Sequence, residues 1–202
     1  MPSPQPDAEL RRFLRRLPLA LVAAAAMWLA IRPLYDPFLC RSGEIAARMV
    51  EFPKVAKIHL AEGSALVGRT DLRADSAWLK LPLTQIHFNA VPFLALVLAL
   101  PGALARRYRW RVLAAFGILV LSHILALVAN VKVFYAAGLG EWSRANYGDA
   151  ARAFYGALRY FFDIPLTFTL PLILWAAALW ERVAALVGMA PEAVRTAPRR
   201  RG

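Results

Sequence analysis

Four stretches of this 202-residue chain are apolar and almost free of charge, and polar or mixed segments separate them. The first is uncharged from Leu17 to Ile31, and apolar residues on both sides lengthen it. About 20 apolar residues in a helix cross a hydrocarbon core of roughly 30 Å. The pattern therefore predicts four transmembrane helices, at residues 17–39, 88–105, 112–137 and 161–180.

The segment 40–87 has a different pattern. Ser42 is placed to cap a short helix that Pro53 would end. Apolar residues then alternate with polar ones in two runs, at Ala56, Ile58 and Leu60 and at Leu79, Leu81 and Leu83. Turns are expected at Gly63, Ser64, Gly68 and residues 71–75. Since period-two alternation is typical of half-buried strands, we expect a hairpin or a three-stranded meander. The expected fold class is an all-α membrane protein with four transmembrane helices and a small external α+β insertion between helices 1 and 2.

The segment 138–160 is rich in aromatic residues, among them Trp142, Tyr147 and Phe154. Aromatic side chains near the end of a membrane span usually lie at the level of the lipid headgroups. We expect an interfacial helix from about Arg144 to Arg159 that runs into the fourth span. The alternative is a surface that binds a carbohydrate or a peptide.

Positive charge is concentrated in the segments 1–16, 106–111 and 181–202. It comes from Arg11, Arg12, Arg15 and Arg16, from Arg106, Arg107, Arg109 and Arg111, and from Arg182, Arg195, Arg199, Arg200 and Arg201. Arginine and lysine near span ends are retained on the cytoplasmic side of a bacterial inner membrane. Both termini are therefore expected in the cytoplasm. A cleaved signal peptide is the alternative for the first apolar stretch, but Arg32 and Pro33 follow it in place of a small-residue cleavage site.

Composition supports a lipid environment, because 59% of the residues are hydrophobic, against roughly 45 to 50% in average soluble domains. The net charge of +12 does not indicate nucleic acid, since the basic residues lie in short runs between apolar blocks. A single cysteine, Cys40, excludes an intramolecular disulfide. No catalytic, metal or cofactor motif is present, so we expect no enzymatic activity and no cofactor. A hydrolase or transferase that uses Cys40 is the enzymatic alternative.

Polar residues inside the expected spans are candidates for function, because their burial in lipid is costly. His123 and Asn130 are seven positions apart and share one face of the third span. They could form a proton or ligand site in a small transporter or proton-coupled carrier. The alternative is a structural role, in which both residues hydrogen-bond across helices.

A second set of polar and aromatic residues is expected at the external ends of the spans. It comprises His87, Asn89, Lys132, Tyr135, Tyr155, Arg159 and Asp163. We interpret this set as a contact site for a partner or an exported client. The simplest role for Lys132 alone is to extend its ammonium to the headgroup level.

The phrases HFNAVPFLALVLALPG, SHILALVANVKVFYA and ARAFYGALRYFFD follow one another in an order that resembles the exosortase H-associated membrane proteins. The resemblance extends from about Leu17 to Glu181. It implies a bacterial inner-membrane protein found beside an exosortase, a transpeptidase-like enzyme that processes proteins with a carboxy-terminal sorting signal.

That family has no assigned activity of its own. Exosortases use a cysteine, an arginine and a histidine in their later spans, whereas Cys40 follows the first span here. The resemblance therefore implies an accessory protein. Its expected partners are the lipid bilayer and a membrane exosortase or its exported substrate, with no nucleic acid.

Overall fold

The computed structural model describes residues 6–51, 54–71 and 78–189, and most of them are helical. Within these residues three helical stretches are long and apolar enough to cross a membrane, namely Ala8–Val50, Arg106–Gly138 and Asp149–Ala178. The apolar helix Leu83–Ala99 is shorter. Three of the four predicted spans are thus confirmed as membrane-length helices, and the second stays a prediction. Phe52, Pro53, residues 72–77 and the arginines beyond residue 189 lie outside the described residues.

The first helix, α1 (Pro6–Val50), is much longer than the predicted span 17–39. At 1.5 Å per residue it measures about 67 Å, roughly twice the thickness of a hydrocarbon core. The prediction that a separate helix starts with Ser42 as its cap is wrong, because α1 continues through that residue. Gly43, in the extension of α1, lies against Leu127 of a later helix.

The three-stranded meander is confirmed. Strands β1 (Ala56–Ala61), β2 (Ser64–Arg69) and β3 (Leu79–Pro82) form an antiparallel sheet in the order β1-β2-β3. Ala61 pairs with Ser64, so only Glu62 and Gly63 form the first turn, both at positive φ. Ser64 and Gly68 were predicted in turns but lie within β2, because the hairpin needs no more than two turn residues.

The sheet lies along the second half of α1. Arg48 Nε donates to the Ala56 carbonyl at 2.8 Å, and the Ile58 N–H donates to Glu44 Oε2 at 2.9 Å. At the turn between β1 and β2, Arg32 Nη2 donates to the Gly63 carbonyl at 3.4 Å. The strand β1 therefore runs back along α1 from its last turn towards its middle.

The second apolar helix begins and ends earlier than the predicted span 88–105. It consists of α2 (Leu83–His87) and α3 (Ala90–Ala99), with Phe88 and Asn89 between them. Leu100 is extended because it precedes Pro101, which disfavours the helical conformation at that residue. Gly102 has a φ of 75° and continues the turn. This turn ends the helix before residue 105.

The described residues from 109 to 189 are helical except for short turns. They comprise α4 (Arg109–Val133), a first π-helical segment (Phe134–Gly138), α5 (Glu141–Asn146), α6 (Asp149–Phe161), a second π-helical segment (Phe162–Leu166), α7 (Thr167–Ala178) and α8 (Trp180–Leu186). The interfacial helix predicted at 144–159 is two helices, α5 and α6, because Tyr147 and Gly148 are extended. Helices α1, α3, α4 and α7 pack into one bundle.

The close packing of Gly43 on α4 leads to a stability prediction. A methyl group at residue 43 would overlap Leu127, whereas one at Gly117 would meet nothing within 4 Å. Overpacking typically costs about 1–3 kcal/mol, while alanine is favoured over glycine within a helix by about 1 kcal/mol. We expect Gly43→Ala to melt at a lower temperature in detergent than the matched variant Gly117→Ala. Equal melting temperatures would contradict the close α1–α4 contact.

Candidate functional site

The residues proposed from the sequence lie in three separate groups. His87, Asn89 and His123 are in a polar core inside the bundle. Lys132, Tyr135 and Tyr155 lie near the sheet, around a cavity. Asn130, Arg159 and Asp163 form a third group beside α2. His123 and Asn130 are both buried on α4, as their spacing predicts, but they bond to different partners.

The first half of the polar core is a chain of hydrogen bonds from α1 to α2. Asp36 accepts from Arg32 Nε at 3.0 Å and bonds to His87 Nε2 at 2.9 Å. Trp28 Nε1 donates to His87 Nδ1 at 3.1 Å. Since the indole N–H is a donor only, His87 Nδ1 must accept, and His87 is neutral with its proton on Nε2. The imidazole therefore donates to the carboxylate of Asp36.

The second half of the polar core joins α1, α4 and Asn89. His123 Nε2 lies 2.6 Å from Asn89 Oδ1, and its Nδ1 lies 2.6 Å from the Tyr35 hydroxyl. With the amide oxygen of Asn89 as acceptor, His123 donates through Nε2 and accepts the Tyr35 O–H at Nδ1. The rings of His87 and His123 are 6.5 Å apart between centroids.

The polar core is buried, and the ring nitrogens of both histidines are paired. His87 is 0% exposed and His123 is 1% exposed. A buried polar group without a partner costs about 1–3 kcal/mol, so these pairings favour one register of α1, α2 and α4. Within the described residues no three His, Cys, Asp or Glu side chains are placed to hold a metal ion. The geometry of the core fits a structural role.

Sequence reasoning missed the α1 members of this core. Trp28, Arg32, Tyr35 and Asp36 recur at intervals of three or four residues and so occupy neighbouring positions on one side of the helix. Arg32 and Asp36 are also the only charged residues between Leu17 and Leu39. That isolated pair inside an apolar segment was the signal that could have found them.

Near the sheet a cavity of about 350 Å³, the charged cavity, is formed by residues from four parts of the chain. Its lining residues are Glu51, Arg69, Asp71, Lys132, Trp142, Asn146 and Tyr147. Three of its four charged side chains are largely buried, at 2% exposure for Arg69, 5% for Glu51 and 11% for Lys132. Such burial requires each charge to be paired.

Glu51 is the centre of that pairing. It accepts from Arg69 Nη1 at 3.2 Å, from the Tyr147 hydroxyl at 3.3 Å and from Lys132 Nζ. Lys132 therefore forms an ion pair within the protein, and its ammonium lies 5.7 Å from the Tyr155 ring centroid. Burial raises the pKa of Tyr147 to about 12, and the nearby charge of Glu51 adds to the shift.

Arg69 is held on both sides of its guanidinium. Its Nε and Nη2 donate to Asp71 at 2.9 and 2.8 Å, and this pairing lowers the pKa of the Asp71 carboxyl. The guanidinium carbon lies 4.1 Å from the Trp142 ring centroid and 5.0 Å from that of Tyr135. The Tyr135 hydroxyl donates to the Gly68 carbonyl at 2.8 Å. Arg69 thus joins the sheet to α5 and the first π-helical segment.

The third group surrounds Asp163 in the second π-helical segment. Asp163 Oδ1 accepts from Asn130 Nδ2 at 3.3 Å, and Oδ2 accepts from Arg159 Nε at 3.0 Å. Asp163 also lines a cavity of about 340 Å³ together with Thr84, Gln85 and Phe88. We call this cavity the lateral cleft.

A scan against protein-family models found no match for the chain, and searches of curated proteins and of solved structures returned no similar protein either.

The polar core leads to a prediction for His123. The variant His123→Leu removes the partner of the Tyr35 hydroxyl and of the Asn89 amide, and each unpaired buried group costs about 1–3 kcal/mol. We expect a clear fall in the melting temperature in detergent. The matched control is Ser122→Ala, whose hydroxyl bonds only the Leu119 carbonyl one turn earlier and whose effect should stay within about 0.5 kcal/mol. A His123→Leu protein as stable as the control would rule out the stabilising role.

A second prediction concerns the pH dependence of Tyr147. Its folded pKa of about 12 lies above the ordinary value of 10.0, so folding favours the neutral phenol. Its stabilising contribution is complete below pH 10 and is lost as the pH rises towards 12. In a titration of tyrosinate absorbance, the difference between the wild type and Tyr147→Phe should have its midpoint near 12. A midpoint near 10 would show that the phenol is not buried against Glu51.

Proposed function

We propose that this chain is a non-enzymatic accessory protein of a bacterial inner membrane, which binds an exosortase-type enzyme or the exported protein that the enzyme processes. The membrane-length helices support a location in the bilayer. The sequence phrases that resemble the exosortase H-associated proteins support the choice of partner. The charged cavity is the proposed contact site.

We also propose that the chain crosses the membrane four times, with both termini in the cytoplasm. In this arrangement α2 and α3 together form the second crossing along the chain. The residues around the arginine-rich turn support this arrangement, because they contact the start of α8. Arg182 Nη2 donates to the Pro101 carbonyl at 2.8 Å, and Glu181 pairs with Arg111 at 3.1 Å and accepts the Tyr108 hydroxyl at 2.9 Å. Two of the three basic segments thus meet at one end of the bundle, which is the pattern of a cytoplasmic face.

The observation that carries the proposal is the construction of the charged cavity. Preformed concave sites with a few fixed polar groups are typical of binding sites. Here Glu51, Arg69 and Lys132 are fixed by one another while remaining in the cavity wall, and the Trp142 ring is stacked on Arg69. Tryptophan, tyrosine and arginine are the residues that most often dominate protein–protein binding energy. This combination fits an exported polypeptide segment that carries polar side chains.

The carrier hypothesis receives less support from the geometry. Both nitrogens of His123 are hydrogen-bonded, and Asn130 bonds Asp163 and the Ala126 carbonyl instead of sharing a ligand site with His123. A carrier would need these two groups to meet at a common site.

The test is retention of an exosortase and its client when all three proteins are co-expressed and the tagged chain is purified in mild detergent. Asn146→Trp places a bulky ring in the charged cavity and leaves each of its ion pairs in place, because Asn146 bonds only the Trp142 carbonyl. We expect this variant to retain about tenfold less enzyme or client, a loss of about 1.4 kcal/mol in binding.

The control is Arg144→Trp, which introduces the same ring on α5 at a residue that does not line the charged cavity. It should retain both proteins at the wild-type level. The proposal fails if the wild type retains neither protein, or if Asn146→Trp retains as much as the control.

A further inference from the structure

The lateral cleft lies between two parts of the chain that run in the same direction along the bundle. One is α2 followed by α3, and the other is the second π-helical segment followed by α7. In the first part the polar residue Thr84 is followed four positions later by Phe88. In the second part Asp163 is followed five positions later by Phe168. The two rings meet edge to face at 5.8 Å between centroids. The cleft is therefore lined by the polar residues Thr84, Gln85 and Asp163 and by the ring of Phe88, which contacts Phe168.

Next to the cleft, apolar side chains of α7 are exposed on the flank of the bundle. Phe168 is 62% exposed, and the side chains that follow it on α7, Leu172 and Ile173, are 52% and 59% exposed. Large apolar side chains exposed along a membrane-length helix face lipid. A molecule in the cleft would thus have its apolar part among lipid chains.

Beside the cleft, Arg159 pairs with the lining residue Asp163, so one positive and one negative charge lie next to each other. Arg159 and Asp163 are 3.0 Å apart, and their side chains are 47% and 38% exposed. The Asp163 carboxylate is also held by Asn130, a residue that is only 5% exposed. The negative charge is therefore fixed in position from inside the bundle and remains accessible from the cleft.

We infer that the lateral cleft binds a phospholipid with a phosphoethanolamine headgroup. The ammonium of such a headgroup would donate to Asp163 and to the Thr84 hydroxyl, and its phosphate would accept from Arg159. The acyl chains would lie on Phe88 and Phe168. A choline headgroup carries no N–H to donate, and a glycerol headgroup carries no positive charge for Asp163. The site therefore selects ethanolamine over both.

This inference goes beyond the proposed accessory function. Asp163, Thr84, Gln85 and Phe88 line the lateral cleft, and none of them lines the charged cavity. Lipid selection and partner binding can accordingly be tested separately, and the failure of one leaves the other in place.

The experiment is native mass spectrometry of the whole protein released from micelles that contain equal amounts of phosphatidylethanolamine, phosphatidylcholine and phosphatidylglycerol. The wild type should retain one phosphatidylethanolamine at roughly tenfold the level of either competitor, which corresponds to about 1.4 kcal/mol. Asp163→Asn should lose that preference over phosphatidylcholine, because the amide no longer attracts the ammonium. Arg159→Gln should lower the retention of all three lipids, since they share the phosphate.

The matched control is Asp149→Asn, which neutralises an exposed aspartate at the start of α6, away from the cleft. It should keep the wild-type preference. Because Arg159 is half exposed, Arg159→Gln tests the site even if Asp163→Asn fails to fold. The inference is overturned if the wild type retains the three lipids equally, or if Asp163→Asn and Arg159→Gln both behave like the control.

Discussion

The hydrogen bonds of the polar core are the constraint on which the bundle depends. Between helices in lipid there is no hydrophobic driving force, so close packing and hydrogen bonds must select the register. Asp36 and Tyr35 on α1 bond to His87 at the end of α2 and to His123 in the middle of α4. Any shift of one helix along another would leave several of these groups unpaired at once. The core thereby fixes the depth of α2, whose Thr84 and Gln85 line the lateral cleft.

The length of α1 connects that core to the charged cavity. The helix continues past the polar core, carries the sheet along its side and ends at Val50. The next residue, Glu51, binds Arg69 and Lys132. The cavity is thus positioned by the same helix that holds Asp36. The two π-helical segments lie next to the cavities, one near Arg69 and one at Asp163. Such segments occur frequently at functional sites.

Local patterns in the sequence predicted the helices and strands better than they predicted which residues contact one another. Apolar blocks gave three membrane-length helices, and the alternation around Ile58 and Leu81 gave the sheet. Ser42 was wrongly predicted to start a separate helix, because a capping signal is local in the sequence. The packing of Gly43 on Leu127 is a tertiary contact, which local sequence does not show. His87 was identified as a polar residue of interest. Its bond to Asp36 depends on how α1 and α2 align, and the periodicity of apolar residues does not predict that alignment. The pairing of Lys132 with Glu51 was not predicted, because the two residues are far apart in sequence.

The shortness of the second apolar helix has a consequence for the surrounding bilayer. In the proposed four-crossing arrangement, Leu83–Ala99 spans about 25 Å at 1.5 Å per residue, which is less than the hydrocarbon thickness of roughly 30 Å. Lipids beside this helix must compress to match it, at a cost of a fraction of a kcal/mol per Å of mismatch. The chain would therefore accumulate where the bilayer is thin, and it would draw neighbouring proteins with equally short helices towards itself.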